Sequence, residues 1–532
     1  LHSFPTRRSS DLLRRPAMKD NLLDKYVLAM YDVRGKQEFI FKTNKIKEII
    51  GGSAIIRDVF ADYLYCAAES VSENNKGIYS YKKENGNTAF TQENWEKHLS
   101  EGYIGEVIYD GGGNFFVIYK SKETLIKVNK KFTKAVLENI GTLRVLCTYV
   151  EIDNFDDYKA DEKRLRIMHR KHENEESIMR SVNALPFVQV DSNTSQPIVF
   201  TNIGKIRGKN IPSKASQESY AKYKKFFNEE LVGEQILDKL VAQKGSDSML
   251  AVIFIDGNNM GAQVSECLKK VSNDYTSSIA ELRKFSNDIQ RKYVDETRDA
   301  IIKKLKNRII VNAGDEMSFI CKASDAFKAV EAYFDTLRKD ESCSSCAGIA
   351  LFHSHAPYYE AYKIAEECCD NAKAVMKKRE ETDTCYMDFQ YCQGALGMNL
   401  DTMRARETGD LSSKPWLIAG ESKEPDVYTL DEVKRIVVGL NAMDARTNIK
   451  DLVSSAKDSL QVFNMEMSRI YAHMSSTVKK NADVKYIFED MIKDKSDNKK
   501  EERRRSLIYD IGIVYDQWFS KKGEQGEEVN DN

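Results

Sequence analysis

The chain has 532 residues, with 81 Lys and Arg against 82 Asp and Glu, a formal charge of -1, 41% hydrophobic residues and ten cysteines. That length predicts several domains rather than one core, and the balanced charge excludes a globally basic nucleic-acid binder. No apolar run reaches the ~18–20 residues of a membrane span, and the scattered thiols predict a reduced, cytoplasmic protein without membrane attachment.

In chain order, residues 1–17 read as a non-native leader, with Met18 the expected start. Residues 18–152 follow as a first βαββαβ unit. Val27 to Asp32 is an apolar strand ending in an acid, and Thr43 to Tyr63 is helical. Val107 to Tyr119 is a hairpin with a Gly111-Gly112-Gly113 tip, Ser121 to Glu138 an amphipathic helix, and Thr142 to Ile152 a closing strand. Residues 153–247 are polar and charged and predict a linker module. Residues 248–395 repeat the first plan: strand Leu250 to Asp256, a helical stretch from Ile279 to Lys306, hairpin Arg308 to Ile320, helix Ser324 to Lys339, strand Cys346 to Phe352 and helix Tyr358 to Lys378. Residues 396–532 predict a helical C-terminal domain opened by the capping box Thr429 to Glu432 and closed by an acidic, disordered tail. The fold class is therefore α+β, two ferredoxin-like palm domains with a linker and a helical domain.

Overlaying the hairpins pairs Gly113 with Asp315 and Asn114 with Glu316, so only the second copy carries acids at its tip. Asp256 ends the neighbouring strand, so Asp256, Asp315 and Glu316 can converge. Clustered carboxylates raise one another's pKa unless a cation joins them. Two Mg2+ or Mn2+ ions bound there, with the Ile255 carbonyl beside them, suit phosphoryl transfer. Gly257, Asn258, Gly261 and Gly314 would admit a triphosphate closely, and Lys373 could reach its phosphates, unless it is simply a solvated lysine. In the first copy, Gly51, Gly52 and Ser53 either free N–H groups for phosphate or allow close helix packing. Cys343-x-x-Cys346 has no second pair at a suitable spacing, so no zinc is expected.

The segments Ile255 to Gly261 and Asn312 to Glu316 resemble the second palm of the large subunit of type III CRISPR complexes, a family related to GGDEF cyclases. The stretches Asp32 to Phe41, Gly51 to Ala54 and Gly111 to Phe115 resemble its first, acid-poor palm. The resemblance implies ATP as substrate, a cyclic or linear oligoadenylate as product, and a phosphate contact for Lys373. It also implies a place for nucleotide at Gly51, Gly52, Ser53 and Asn114, and effector subunits or RNA as partners; a homodimer is compatible with it. The chain departs from the family at Glu316, where aspartate is usual, and at Asn258; neither an HD nuclease nor a four-cysteine zinc element is expected from these residues. Two alternatives stay open: a catalytically inactive nucleotide-binding scaffold, and a template-directed polymerase or primase.

Overall fold

The structure, a computed structural model, describes residues 25–176, 204–206, 209–211, 219, 221–223 and 248–519, apart from 44, 85–88, 112, 305–306, 393–396, 410, 425, 444–445 and 493–497. The expected leader, most of the linker and the acidic tail lie outside the described residues.

The first palm is a five-stranded sheet. Its strands are β1 (Val27–Arg34), β2 (Ile78–Tyr79), β3 (Gly105–Gly111), β4 (Asn114–Tyr119) and β5 (Arg144–Glu151), ordered β2-β3-β4-β1-β5. Helix α1 (Lys36–Ile40) follows β1, α2 (Ile46–Val59) and α3 (Lys122–Asn139) are the crossovers, and α4 (Tyr158–Glu176) follows β5. Strands β6 (Gly204–Ile206) and β7 (Lys209–Ile211) form a separate two-stranded ribbon.

The second palm has six strands: β8 (Met249–Gly257), β9 (Asn307–Ala313), β10 (Glu316–Lys322), β11 (Ser345–His353), β12 (Cys385–Tyr391) and β13 (Trp416–Ala419). Their order is β13-β12-β11-β8-β10-β9. Its helices include α5 (Tyr275–Ile289), α6 (Ala326–Leu337) and α7 (Tyr358–Lys378). In each palm the leading strand, β1 or β8, lies between the hairpin's second strand and the closing strand. The duplication extends to a local irregularity: α2 and α5 each run into a π-helical segment, Phe60–Leu64 and Gln290–Glu296.

Alternation along β8 divides the packing. Leu250, Val252 and Phe254 join a core shared with the first palm and with α7, whereas Ala251, Ile253 and Ile255 face α6 and the C-terminal helices. Those helices include Leu430–Ala442, Arg446–Asp458, Leu460–His473 and Asn498–Trp518. Thr429 caps its helix as expected, its hydroxyl accepting from the Glu432 N–H at 3.2 Å, while the Glu432 carboxylate accepts from Tyr486 and Arg503 rather than closing a capping box. One expectation needs correction. Residues 396–532 are not purely helical, because β13 pairs antiparallel with β12 and completes the palm sheet. A four-residue strand is too short to show a period in sequence.

The palms are bound together by buried polar contacts as well as apolar ones. Arg283 of α5, 4% exposed at its side chain, pairs at 3.0 Å with fully buried Glu106 of β3. It also donates to the Val107 carbonyl at 2.6 Å. The Tyr275 hydroxyl donates to Asp161 of α4 at 2.8 Å.

Candidate active site

Strand pairing brings the acids together. Asp256 sits opposite Glu316 on one side and Cys346 on the other, on the face that packs against α7. Directly opposed residues are cross-strand neighbours about 4.5–5.5 Å apart. A two-residue turn, Gly314-Asp315, joins β9 to β10, with Gly314 at φ 69° and Glu316 back in register with Ala313. Glycine leads the turn because only it takes that φ without strain. The Gly257 N–H donates to the Asp315 carbonyl at 3.2 Å. A Cβ at Gly257 would lie 2.8 Å from the Asp315 Cβ, so glycine there lets the turn fold over the strand end.

Helix α7 faces this turn with one stripe of side chains. Tyr362, Glu366 and Lys373 recur at helical spacing. The Tyr362 hydroxyl donates to Glu316 Oε1 at 3.4 Å. Lys373 Nζ lies 2.5 Å from Asp256 Oδ2 and 2.8 Å from the Gly257 carbonyl. Between them Glu366 accepts a hydrogen bond from Gln37 of α1, a contact from the first palm. The ring of Phe41, just beyond α1, lies 4.3 Å from that of Tyr362.

Four carboxyls gather here, and Lys373 pairs with one of them, Asp256. Burial, and then the Asp256 charge, push the Asp315 carboxyl up to about 6. Burial, followed by Asp256, Glu366 and Asp315, raises Glu316 to about 7. Glu366 is raised by burial too. Burial works against the Lys373 charge, but Asp256 outweighs it and holds the ammonium above its ordinary value. The first palm also reaches the turn: Tyr109 of β3 is raised by burial, then by Asp110 and by Asp315.

An all-oxygen donor set in which Asp315 and Glu316 resist ionisation fits a hard divalent ion such as Mg2+. Its ligand atoms are less tightly gathered than those of another group. Among the described residues, three ligand atoms lie within 4.8 Å of one another only at Asp32, His169 and Glu173. Fully buried Ile255 could offer only its backbone carbonyl.

The other expected residues divide. Gly314 forms the turn. Gly261, near the start of helix Met260–Lys269, has open space around the position of a Cβ. Asn258 is corrected: its side chain is buried and donates to the Thr384 carbonyl at 3.0 Å, so it ties two loops together rather than facing a ligand. Gly51, Gly52 and Ser53 are corrected as well. They lie inside α2, where backbone N–H groups bond within the helix. A Cβ at Gly51 would stand 1.6 Å from the Ser219 carbonyl oxygen, so close packing explains that glycine. Asn114 opens β4 opposite Asp32. The reading of the sequence missed Tyr362 and Glu366. The stripe Tyr362, Glu366, Lys373 was the available signal, since Lys373 alone fixes which face of α7 meets the acids.

Residues 249–382 match the family model described as Cas10/Cmr2, second palm domain. No curated protein matches the chain. Similar solved structures include an apo Csm1-Csm4 cassette, with 10% identity, TM-score 0.49, and coverage of 93% of this chain and 71% of that one. A Csm1-Csm4 cassette in complex with AMPPNP has 12% identity and TM-score 0.41, covering 68% of this chain and 54% of that one, so the chain spans about half the length of that relative. A cassette in complex with cA4 has 11% identity and TM-score 0.47, covering 92% and 70%. Residues 249–382 are thus similar to the second palm domain of Cas10/Cmr2 proteins.

Proposed function

We propose that the chain is a nucleotidyltransferase that joins ATP-like nucleotides and releases pyrophosphate, giving a cyclic or linear oligonucleotide signal in a CRISPR-type defence system. The observation that carries this reading is the acidic turn. Asp256, Asp315 and Glu316 meet at one sheet end beside Lys373, and burial followed by the Asp256 charge raises the Asp315 and Glu316 carboxyls. The family match over residues 249–382 supports it.

Asp256, Asp315 and Glu316 would hold divalent ions, which when bound neutralise phosphate charge and lower the pKa of an attacking hydroxyl. Lys373, released from Asp256, would turn its ammonium to a phosphate oxygen as a point charge. Tyr362 fixes the Glu316 carboxylate. The open surface at Gly261 leaves room for the triphosphate. The first palm borders the site through Gln37, bonded to Glu366 of α7, and through Tyr109, and an acceptor nucleotide would lie at this border. The bond formed joins the acceptor's 3′ oxygen to the donor's α-phosphorus, and the bond broken is that between α-phosphorus and bridging oxygen. Partner effector subunits and RNA are proposed on the same footing, as regulators of this site.

Mass spectrometry of products from mixed nucleoside triphosphates with Mg2+ or Mn2+, with and without activating RNA, tests the reading. Oligonucleotide products with pyrophosphate are expected. Their absence under all of these conditions contradicts it. One observation favours a second reading, a nucleotide-binding scaffold without turnover: Lys373 is held by both Asp256 and the Gly257 carbonyl. Calorimetry showing tight ATP binding without product would select the scaffold.

A further inference from the structure

The first palm, which lacks acids at its hairpin tip, has a different donor set at the matching strand end. Asp32 of β1 faces Leu146 as Asp256 faces Cys346. Glu173 of α4 follows Leu146 by the same interval that separates Lys373 from Cys346, so Glu173 stands where the second palm has its lysine. His169, one turn earlier, stands at the position of Cys369. His169 Nε2 lies 3.4 Å from Asp32 Oδ2 and 3.8 Å from Glu173 Oε1.

From this geometry we propose that Asp32, His169 and Glu173 bind a first-row transition-metal ion such as Mn2+ or Zn2+, a site separate from the acidic turn. Two ligands each about 2.1 Å from a tetrahedral ion stand about 3.4 Å apart, close to the separations His169 makes with both carboxylates. The imidazole's Nε2 edge faces both carboxylates. The fully buried Thr148 hydroxyl lies 3.1 Å from His169 Nδ1; with the ring proton placed on Nδ1 and donated there, Nε2 would be free of its hydrogen bond to Asp32 and would offer its lone pair to an ion. His172 Nδ1 contacts the same hydroxyl from the next turn at 3.2 Å. One nitrogen with two carboxylates suits Mn2+, Fe2+ or Zn2+ better than Mg2+, which takes oxygen.

A cation already bridges the two acids. Arg34 lies 3.0 Å from Asp32 and also hydrogen-bonds to Glu173. Its side chain is 35% exposed, so an outward swing would leave the two acids to an ion. Arg34 therefore competes with the metal. The proposal does not depend on nucleotidyl transfer.

The test is electron paramagnetic resonance of Mn2+ titrated into the full chain, without nucleotide and with excess Mg2+ to fill oxygen-only sites. Wild type should retain one Mn2+ per chain. His169→Ala and Glu173→Gln should each weaken it at least about tenfold, with circular dichroism confirming the fold in whichever variant is scored. Arg34→Ala should tighten it, and Asp256→Ala should leave it unchanged. A wild type that holds no Mg2+-resistant Mn2+ overturns the proposal. So does Mn2+ that persists in both His169→Ala and Glu173→Gln, or that is lost in Asp256→Ala.

Discussion

The two palms share a strand order, a register and even a π-helical segment in the first crossover, yet they place opposite chemistry at the same point. In the second, Asp256 faces two further acids on the turn and a lysine on α7. In the first, Asp32 faces Asn114 across the hairpin, Arg34 on its own strand, and a histidine and a glutamate on α4. The backbone therefore supplies a focal point where a strand end, a hairpin tip and a helix meet. The side chains decide what charge collects there. In the second palm burial and the neighbouring acids raise the Asp315 and Glu316 carboxyls. In the first, burial would raise Asp32, but hydrogen bonds from His169 and Arg34 outweigh it and lower it.

Removing the second palm's charge should have the largest effect. Asp256→Asn should reduce pyrophosphate release on the order of a thousandfold, because it takes away negative charge where the cation must sit. Activity near wild type would place the chemistry elsewhere and erase the functional contrast between the palms.

Next is the contact that couples them. Arg283→Met leaves Glu106 buried beside His98 without its guanidinium, at a cost of about 3–5 kcal/mol in urea unfolding. Adding Glu106→Gln should recover part of that loss. A negligible change in the single variant would mean that the palms do not depend on this pair.

Glycines at helix contacts should respond alike in both palms. A Cβ at Gly348 would lie 1.9 Å from the Ala365 carbonyl oxygen, and one at Gly51 1.6 Å from that of Ser219. Gly348→Ala and Gly51→Ala should each lose about 1–3 kcal/mol or more. If Gly51→Ala instead weakened ATP binding with stability intact, Gly51 would cradle phosphate after all.

The smallest effect is thermal. Asp315 and Glu316, at about 6 and about 7, bind protons more tightly folded than their ordinary values of 3.8 and 4.5 allow. The folded state therefore loses stability as pH rises from about 4 to about 7. In chelator, Tm should fall by a few degrees over that range. Mg2+ should restore it, more at pH 8 than at pH 5. A restoration independent of pH would mean that Mg2+ binds away from these carboxyls.

Much of this was legible in the sequence because the signals were local. An apolar run ending in Asp256 and a glycine before Asp315 fix a strand end and a turn, and alternation fixes the face each acid takes. What stayed hidden depended on contacts distant in the chain. Gly51 reads equally as a phosphate cradle or a packing glycine until Ser219 is seen against it. Asn258 looks like a site residue until its side chain is seen bonded to the Thr384 loop. Glu366 needs Gln37 from the other palm to give it a place. His169 and Glu173 fell in a stretch read as linker, because a charged helix shows little sign of which face meets a sheet.

Anomalous diffraction from crystals soaked with Mn2+ and a non-hydrolysable ATP analogue tests the central claim most directly. Mn2+ peaks ligated by Asp256, Asp315 and Glu316, with Lys373 turned from Asp256 toward phosphate, are the result this account predicts. A bound analogue whose phosphates lie away from the Gly314-Asp315 turn, with no ion on these three carboxylates, would contradict it.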